Sequence, residues 1–234
     1  VIEAVAGKTW EEFIQTRILD KVGMTESKLF HNGDPIAGNV AMTYANVGGK
    51  VQMVKPFVEM NSNPAAGINA SAADMAKWMI VQLDSGQLAD SSRLFAASTA
   101  RELWSIVTPF PSGSPPPPEL QPLFSNFAGY ALGFGIRDYR GKKVVSHTGG
   151  LPGYVSRLTM IPELKLGVCV LTNQESGGAF NSITYDILDR YLNAQPHDWL
   201  AAYKHSQERG DSSAKAAGKS AIRKRDEHSR PSLT

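Results

Sequence analysis

Hydrophobic positions in the first hundred residues recur at helical spacing. Val1-Ile2-Glu3-Ala4-Val5 reads as part of an apolar-faced helix, running to Ala6 and stopped by Gly7. Thr9 is a good N-cap with Glu12 as its capping-box partner, and Trp10, Phe13, Ile14 and Ile18 then share a face until Gly23. Ser71 and Asp74 open a third helix whose Met75, Met79 and Leu83 fall on one side and which Gly86 ends. A fourth begins near Ser98 and carries Leu103 and Trp104. Between them, His31 to Asn63 is rich in breakers, among them Gly33, Pro35, Gly38, Gly48-Gly49 and Pro56. Pro111 to Pro122 is a second irregular stretch, with Pro115 to Pro118 in extended backbone.

Past Gly129 the period changes to two. Tyr130–Tyr139, Lys142–His147, Tyr154–Ile161 and Leu166–Asn173 read as four consecutive strands. Links as short as Arg140-Gly141 and Pro162 to Lys165 make an antiparallel meander, because parallel neighbours need long crossovers. The apolar run Leu166 to Leu171 calls for cover on both faces, and a helix over Phe180–Leu192 offers Ile183, Ile187, Leu188 and Tyr191 to the sheet. The fold class expected is therefore α+β, an antiparallel meander flanked by helices.

After Tyr203 the pattern stops. Residues 204–234 hold Ile222 and Leu233 as their only large aliphatics. Eight Lys and Arg against four Asp and Glu give this tail +4, so the rest carries −2 of the total +2. Too little apolar area is available there to offset ordering entropy, and disorder is expected. A nucleic-acid role for the basic tail is the weaker reading beside a solvated one. With 42% hydrophobic and 20% charged residues, the composition is that of a globular protein and excludes collagenous, fully disordered or disulfide-stapled chains. Cys169 stands alone and forms no internal disulfide. No apolar run of about 18 residues predicts a membrane span, and a net +2 gives no case for nucleic acid or a membrane surface as partner. Neither a metal nor another cofactor is expected, since the histidines at 31, 147, 197, 205 and 228 lack ligand spacing.

Several motifs invite chemistry. Gly7-Lys8-Thr9 lacks the upstream glycine and strand of a phosphate loop and reads as a helix stop followed by a cap. Ser212-Ser213-Ala214-Lys215 has the spacing of a serine nucleophile and its lysine, but lies in the expected disordered tail. Tyr44-Ala45-Asn46 has a Tyr-x-Asn spacing and falls in expected loop. The strongest signal is His147-Thr148-Gly149-Gly150 followed by Leu151-Pro152-Gly153-Tyr154. Such a strand end can pair with an extended substrate and turn N–H groups toward an oxyanion; it can equally be a glycine-rich hairpin with a surface histidine.

In combination these segments resemble the serine beta-lactamase-like family: class C beta-lactamases, penicillin-binding D-alanyl-D-alanine peptidases and their esterase relatives. The resemblance runs through Glu3 to Phe13, Val22-Gly23-Met24-Thr25-Glu26-Ser27, Asn63 to Ile68 with Ser71 to Met75, Gly133-Phe134-Gly135, His147 to Gly150, Pro152 to Tyr154, Pro162-Glu163 and Val170 to Asn173. It covers about residues 1–193; residues 194–203 look like a connector that in some relatives leads into an accessory β-domain, and 204–234 form the basic tail.

The resemblance implies acyl transfer by serine attack on an amide or ester, with a β-lactam, a D-Ala-D-Ala peptide or a carboxylic ester as the small-molecule or peptide substrate. It implies that His147, Thr148 and Gly149 bind substrate, that His147 has a catalytic part, and that Gly150 supplies an oxyanion N–H. His147 where lysine is usual points toward esterase or peptidase relatives. The family's Ser-x-x-Lys and Tyr-x-Asn elements would precede the helix at Val1, so Ser212 and Tyr44 are decoys and the chain holds no nucleophile. An incomplete fold is then expected, lacking two N-terminal strands and the nucleophile-bearing helices, with an open sheet edge. On this reading the chain is an inactive fragment of a periplasmic or secreted hydrolase; the alternative is a non-catalytic binding module that keeps the groove.

Overall fold

The computed structural model describes residues 1–29, 39–57, 62–111 and 115–224, with side chains up to residue 218. The readings that involve His31, Gly33, Pro35, Gly38, His228 and residues 225–234 lie outside these residues.

Helix α1 (Ile2–Ala6) ends at Gly7, whose φ is 62°. Helix α2 (Trp10–Ile14) is capped by Thr9, whose Oγ1 accepts from the Glu12 N–H at 3.1 Å. The chain then makes a π-helical turn over Gln15–Leu19 before α3 (Asp20–Val22) stops at Gly23. That turn extends the expected apolar face. A π turn inserts one residue into the helical repeat, so Leu19 is the fully buried residue after Ile14, while Phe13 and Ile18 pack half-buried against the same core.

Strand β1 (Lys28–Leu29), hairpin strands β2 (Tyr44–Val47) and β3 (Lys50–Met53), helix α4 (Asn63–Ala66) and strand β4 (Ile68–Asn69) follow, with β1 paired to β4. Tyr44 and Asn46, expected in loop, stand in β2, because Gly48 and Gly49 take φ of 61° and 83° and close a tight hairpin. Helix α5 (Ala72–Leu83) starts where Ser71 Oγ accepts from the Asp74 N–H. The fully buried Asp74 carboxylate receives the Glu26 and Ser27 N–H groups, the Ser27 hydroxyl and Lys77. It thereby joins the start of α5 to the turn after α3. Helix α6 (Ala97–Leu103) follows.

The main sheet has six antiparallel strands in the order β10-β9-β8-β7-β6-β5. These are β5 (Thr108–Pro109), β6 (Ala128–Tyr130), β7 (Gly135–Tyr139), β8 (Lys142–Leu151), β9 (Tyr154–Ile161) and β10 (Leu166–Thr172). The meander is as expected, with two differences. The single strand expected over Tyr130–Tyr139 is broken by a turn in which Ala131 N–H bonds the Phe134 carbonyl, and β8 continues past His147 through both glycines. Among the described residues β10 has only β9 as a strand neighbour, so its outer side is an edge.

Alternation along the strands separates two cores. Tyr139, Val144, Ile161, Val168 and Val170 face α7 (Gly177–Tyr191) and α8 (Trp199–Lys224), where Phe180, Tyr185, Leu188 and Trp199 meet them. Ile136, Val145, Leu158 and Met160 face Met79 and Leu83 of α5. Strand β10 is covered by α7 on one side and, at Gly167 and Cys169, by α5 on the other, while Leu171 is exposed. On α7 the buried line is Phe180, Thr184, Tyr185 and Leu188, while Ile183 and Tyr191, expected to face the sheet, are exposed. Asp189 ties the layers: it accepts from the Tyr139 hydroxyl, from Arg140 at 2.7 and 2.9 Å and from Trp199 Nε1 at 2.9 Å.

Disorder was expected from Lys204, yet α8 is helical for 26 residues. Its first turns are held by Trp199, Ala202 and Tyr203 in the core and by Arg209 paired with Glu119. Beyond them, residues 207–218 are exposed, so propagation from an anchored start takes the place of core burial.

Candidate active site

Strand β8 outruns its neighbour. Its last pairing with β7 is Ser146 with Gly135, whereas its pairing with β9 continues through Leu151 opposite Tyr154. His147, Thr148, Gly149 and Gly150 are therefore brought together on one strand with β9 on one side and, among the described residues, no strand on the other, and all four are exposed.

The register sets which backbone groups face the open side. Leu151 and Tyr154 close a hairpin over Pro152-Gly153, and the pair flanking such a two-residue turn is the hydrogen-bonded one. Bonded and non-bonded pairs alternate, so Leu151, Gly149 and His147 turn their N–H and C=O toward β9. Thr148 and Gly150 turn theirs outward. The glycines differ in how the fold constrains them. A Cβ on Gly149 would lie 2.6 Å from Ser156 Oγ, while one on Gly150 would meet only Val155 Cγ1, at 4.0 Å. Packing leaves room for a side chain at Gly150, yet the strand is bare there.

The end of the hairpin is anchored. Gly153 has φ 82°, its N–H donates to Glu175 Oε1 at 2.7 Å, and an added Cβ would fall 2.3 Å from Thr43 Cβ. The Tyr154 hydroxyl donates to the Ala41 carbonyl, the Asn173 side-chain amide donates to the Met42 carbonyl at 2.8 Å, and Tyr44 N–H donates to the Asn173 carbonyl at 3.1 Å. Burial raises the Tyr154 phenol above its usual range, so it stays protonated and able to donate. The segment around Thr43 thus walls one end of the exposed strand.

Two residues beside this strand carried no signal in the sequence. Tyr130 places its hydroxyl 3.1 Å from His147 Nε2. Arg157, opposite Thr148 on β9, bonds Thr159, Asn181 and Tyr185 and stacks over the Tyr185 ring, on the α7 side of the sheet. Both contacts depend on register across strands, which spacing along the chain does not disclose. The structure does not bring Ser212 or Lys215 to the site: they lie on exposed α8, and the Ser212 hydroxyl bonds the Glu208 carbonyl at 2.8 Å. Tyr44 enters the wall through its backbone. A cleft of about 330 Å³ between the start of α7 and α8, lined by Glu175, Ser176, Tyr203 and Gln207 among others, includes no residue of the exposed strand.

A protein-family model described as Beta-lactamase matches residues 1–191. The chain is 28% identical over 218 residues to an unguisins hydrolase, ungD, of Aspergillus violaceofuscus, covering 87% of this chain and 38% of that protein. It is 21% identical over 205 residues to Penicillin-binding protein 4 of Amycolatopsis lactamdurans, covering 82% of this chain and 48% of that one. The chain therefore spans less than half the length of these relatives. Among solved structures, the octameric penicillin-binding protein homologue from Pyrococcus abyssi superposes with a TM-score of 0.68 at 25% identity, over 83% of this chain and 40% of that one. A class C beta lactamase from Rhodobacter sphaeroides superposes with a TM-score of 0.59 at 16% identity, over 81% and 56%, a likeness of fold alone. With the family model spanning α1 to α7, the sheet and the exposed strand, the chain belongs to the beta-lactamase family.

Proposed function

We propose that this chain carries the substrate-strand half of a serine hydrolase site that acts by acyl transfer on an amide or ester carbonyl. The observation that carries the reading is the overrun of β8: Thr148 and Gly150 turn backbone N–H and C=O groups to a side with no strand partner among the described residues. An extended acyl group laid along it gains ladder hydrogen bonds, as an added strand does. When a serine oxygen adds to the carbonyl carbon, the C=O pair moves onto oxygen, and the Gly150 N–H donates to that oxyanion. Collapse of the adduct expels the amine or alcohol, and water then releases the acyl group. The imidazole of His147 and the hydroxyl of Thr148 bind the substrate beside the reacting carbonyl.

The names of the relatives, an unguisins hydrolase and penicillin-binding proteins, support a hydrolase reaction. We further propose that the 234-residue chain alone binds such groups without turning them over, because Ser212 and Lys215 face solvent on α8. The test is incubation of the purified chain with nitrocefin and with p-nitrophenyl acetate. No release above buffer is expected; release that Gly150→Pro abolishes would overturn the inactivity.

A further inference from the structure

The pairing of Tyr130 with His147 sits just past the end of the β7–β8 ladder. Strand β7 begins at Gly135, opposite Ser146, so His147 is the first residue of β8 beyond that ladder, beside the turn that joins β6 to β7. There the Tyr130 hydroxyl lies 3.1 Å from His147 Nε2, with ring centroids 6.3 Å apart and planes tilted by 58°. Both side chains are exposed, and among the described residues the imidazole has no other hydrogen-bond partner.

Resting on the reading of β8 as the substrate strand, we propose that Tyr130 is a positioning residue that holds His147 as the Nδ1–H tautomer, with Nδ1–H donating to an oxygen of the bound substrate. A phenol is a better donor than a neutral imidazole N–H, and an imidazole nitrogen a better acceptor than a phenol oxygen. The neutral pair therefore takes the O–H···Nε2 arrangement, which leaves the proton on Nδ1.

The tautomer is read from the imidazole ¹⁵N shifts of the folded, labelled chain in long-range ¹H–¹⁵N spectra at alkaline pH. The wild-type chain shows Nδ1–H, and Tyr130→Phe shifts His147 toward Nε2–H, the form a free side chain favours. Nε2–H in the wild type overturns the proposal, and so does an unchanged tautomer in a Tyr130→Phe chain with a native amide spectrum. Titration with N-acetyl-D-alanyl-D-alanine separates this inference from the reading it rests on. Movement of both the Thr148 to Leu151 amides and Nδ1, with affinity weakened roughly three- to tenfold by Tyr130→Phe, supports it. Movement of the amides without Nδ1 overturns the role of Tyr130 and leaves the substrate strand standing. Movement of neither overturns the substrate strand, and with it the substrate-facing part of this proposal.

Discussion

Gly153 and Thr43 are in contact so close that a Cβ on the glycine would lie 2.3 Å from Thr43 Cβ. This contact presses the segment that leads into β2 against the turn between β8 and β9. Gly153→Ala would meet both the clash and a φ of 82°, and should cost about 1–3 kcal/mol. Thermal unfolding measures the loss. Because the wall must move away, hydrogen exchange at the Tyr44 amide, which bonds the Asn173 carbonyl, should accelerate as well.

Asp138 sets a pH dependence. Burial works against its charge, but bonds from the Ser125 hydroxyl, the Phe127 N–H, the Asn126 side chain and the Asn126 N–H outweigh burial and hold its pKa at about 2. A carboxylate depressed on folding stabilises above its unfolded value, near 4, and loses that contribution as pH falls toward the folded value. Asp138→Asn should therefore cost roughly 1–2 kcal/mol at pH 7. Denaturant titrations at pH 7 and pH 2.5 should show that difference shrinking in acid.

Helix α8 divides into a packed start and an exposed remainder. Trp199 is 2% exposed and bonds Asp189, so Trp199→Ala should cost about 3–5 kcal/mol. Ending the chain at Gly210 keeps Trp199, Tyr203 and the Arg209–Glu119 pair. It should change stability by no more than about 0.5 kcal/mol. Equal losses in the two variants would contradict the division.

The two glycines of the exposed strand should respond differently to alanine. Gly149→Ala must displace the Ser156 hydroxyl, whereas Gly150→Ala enters free space. Gly150→Ala should hold or gain about 0.5 kcal/mol of stability, since alanine restricts the unfolded chain. A large loss at Gly150 would mean that the fold itself requires glycine there.

The parts legible in the sequence were those set by local chemistry. Thr9 and Ser71 cap the helices they were expected to cap, and the short links after Tyr139 and Ile161 give the antiparallel meander. The family was legible because several weak motifs stand in one order, and the family model matches residues 1–191. Misreadings arose where tertiary context decides. The π turn adds Leu19 to the core beside the half-buried Ile18 and leaves no mark in the composition of the helix. Tyr44 lies among loop-forming residues in the sequence, and its strand partner, Met53, comes to it only across a Gly-Gly turn. Helix α8 extends past its last core contact because anchoring at Trp199 removes the cost of nucleation. At the site, His147 to Gly150 stood out as a motif, but the missing β7 partner and the hydroxyl of Tyr130 appear only once six strands are aligned.

The central claim is that β8 beyond Ser146 presents an open, substrate-pairing edge. Amide hydrogen exchange, resolved by residue and measured with and without N-acetyl-D-alanyl-D-alanine, tests it most directly. The register predicts alternation in the free chain, with Gly149 and Leu151 protected by β9 and Thr148 and Gly150 exchanging rapidly. Ligand should slow Thr148 and Gly150 selectively. Uniform protection from His147 to Leu151 in the free chain, or no slowing at Gly150 with saturating ligand, would contradict the account.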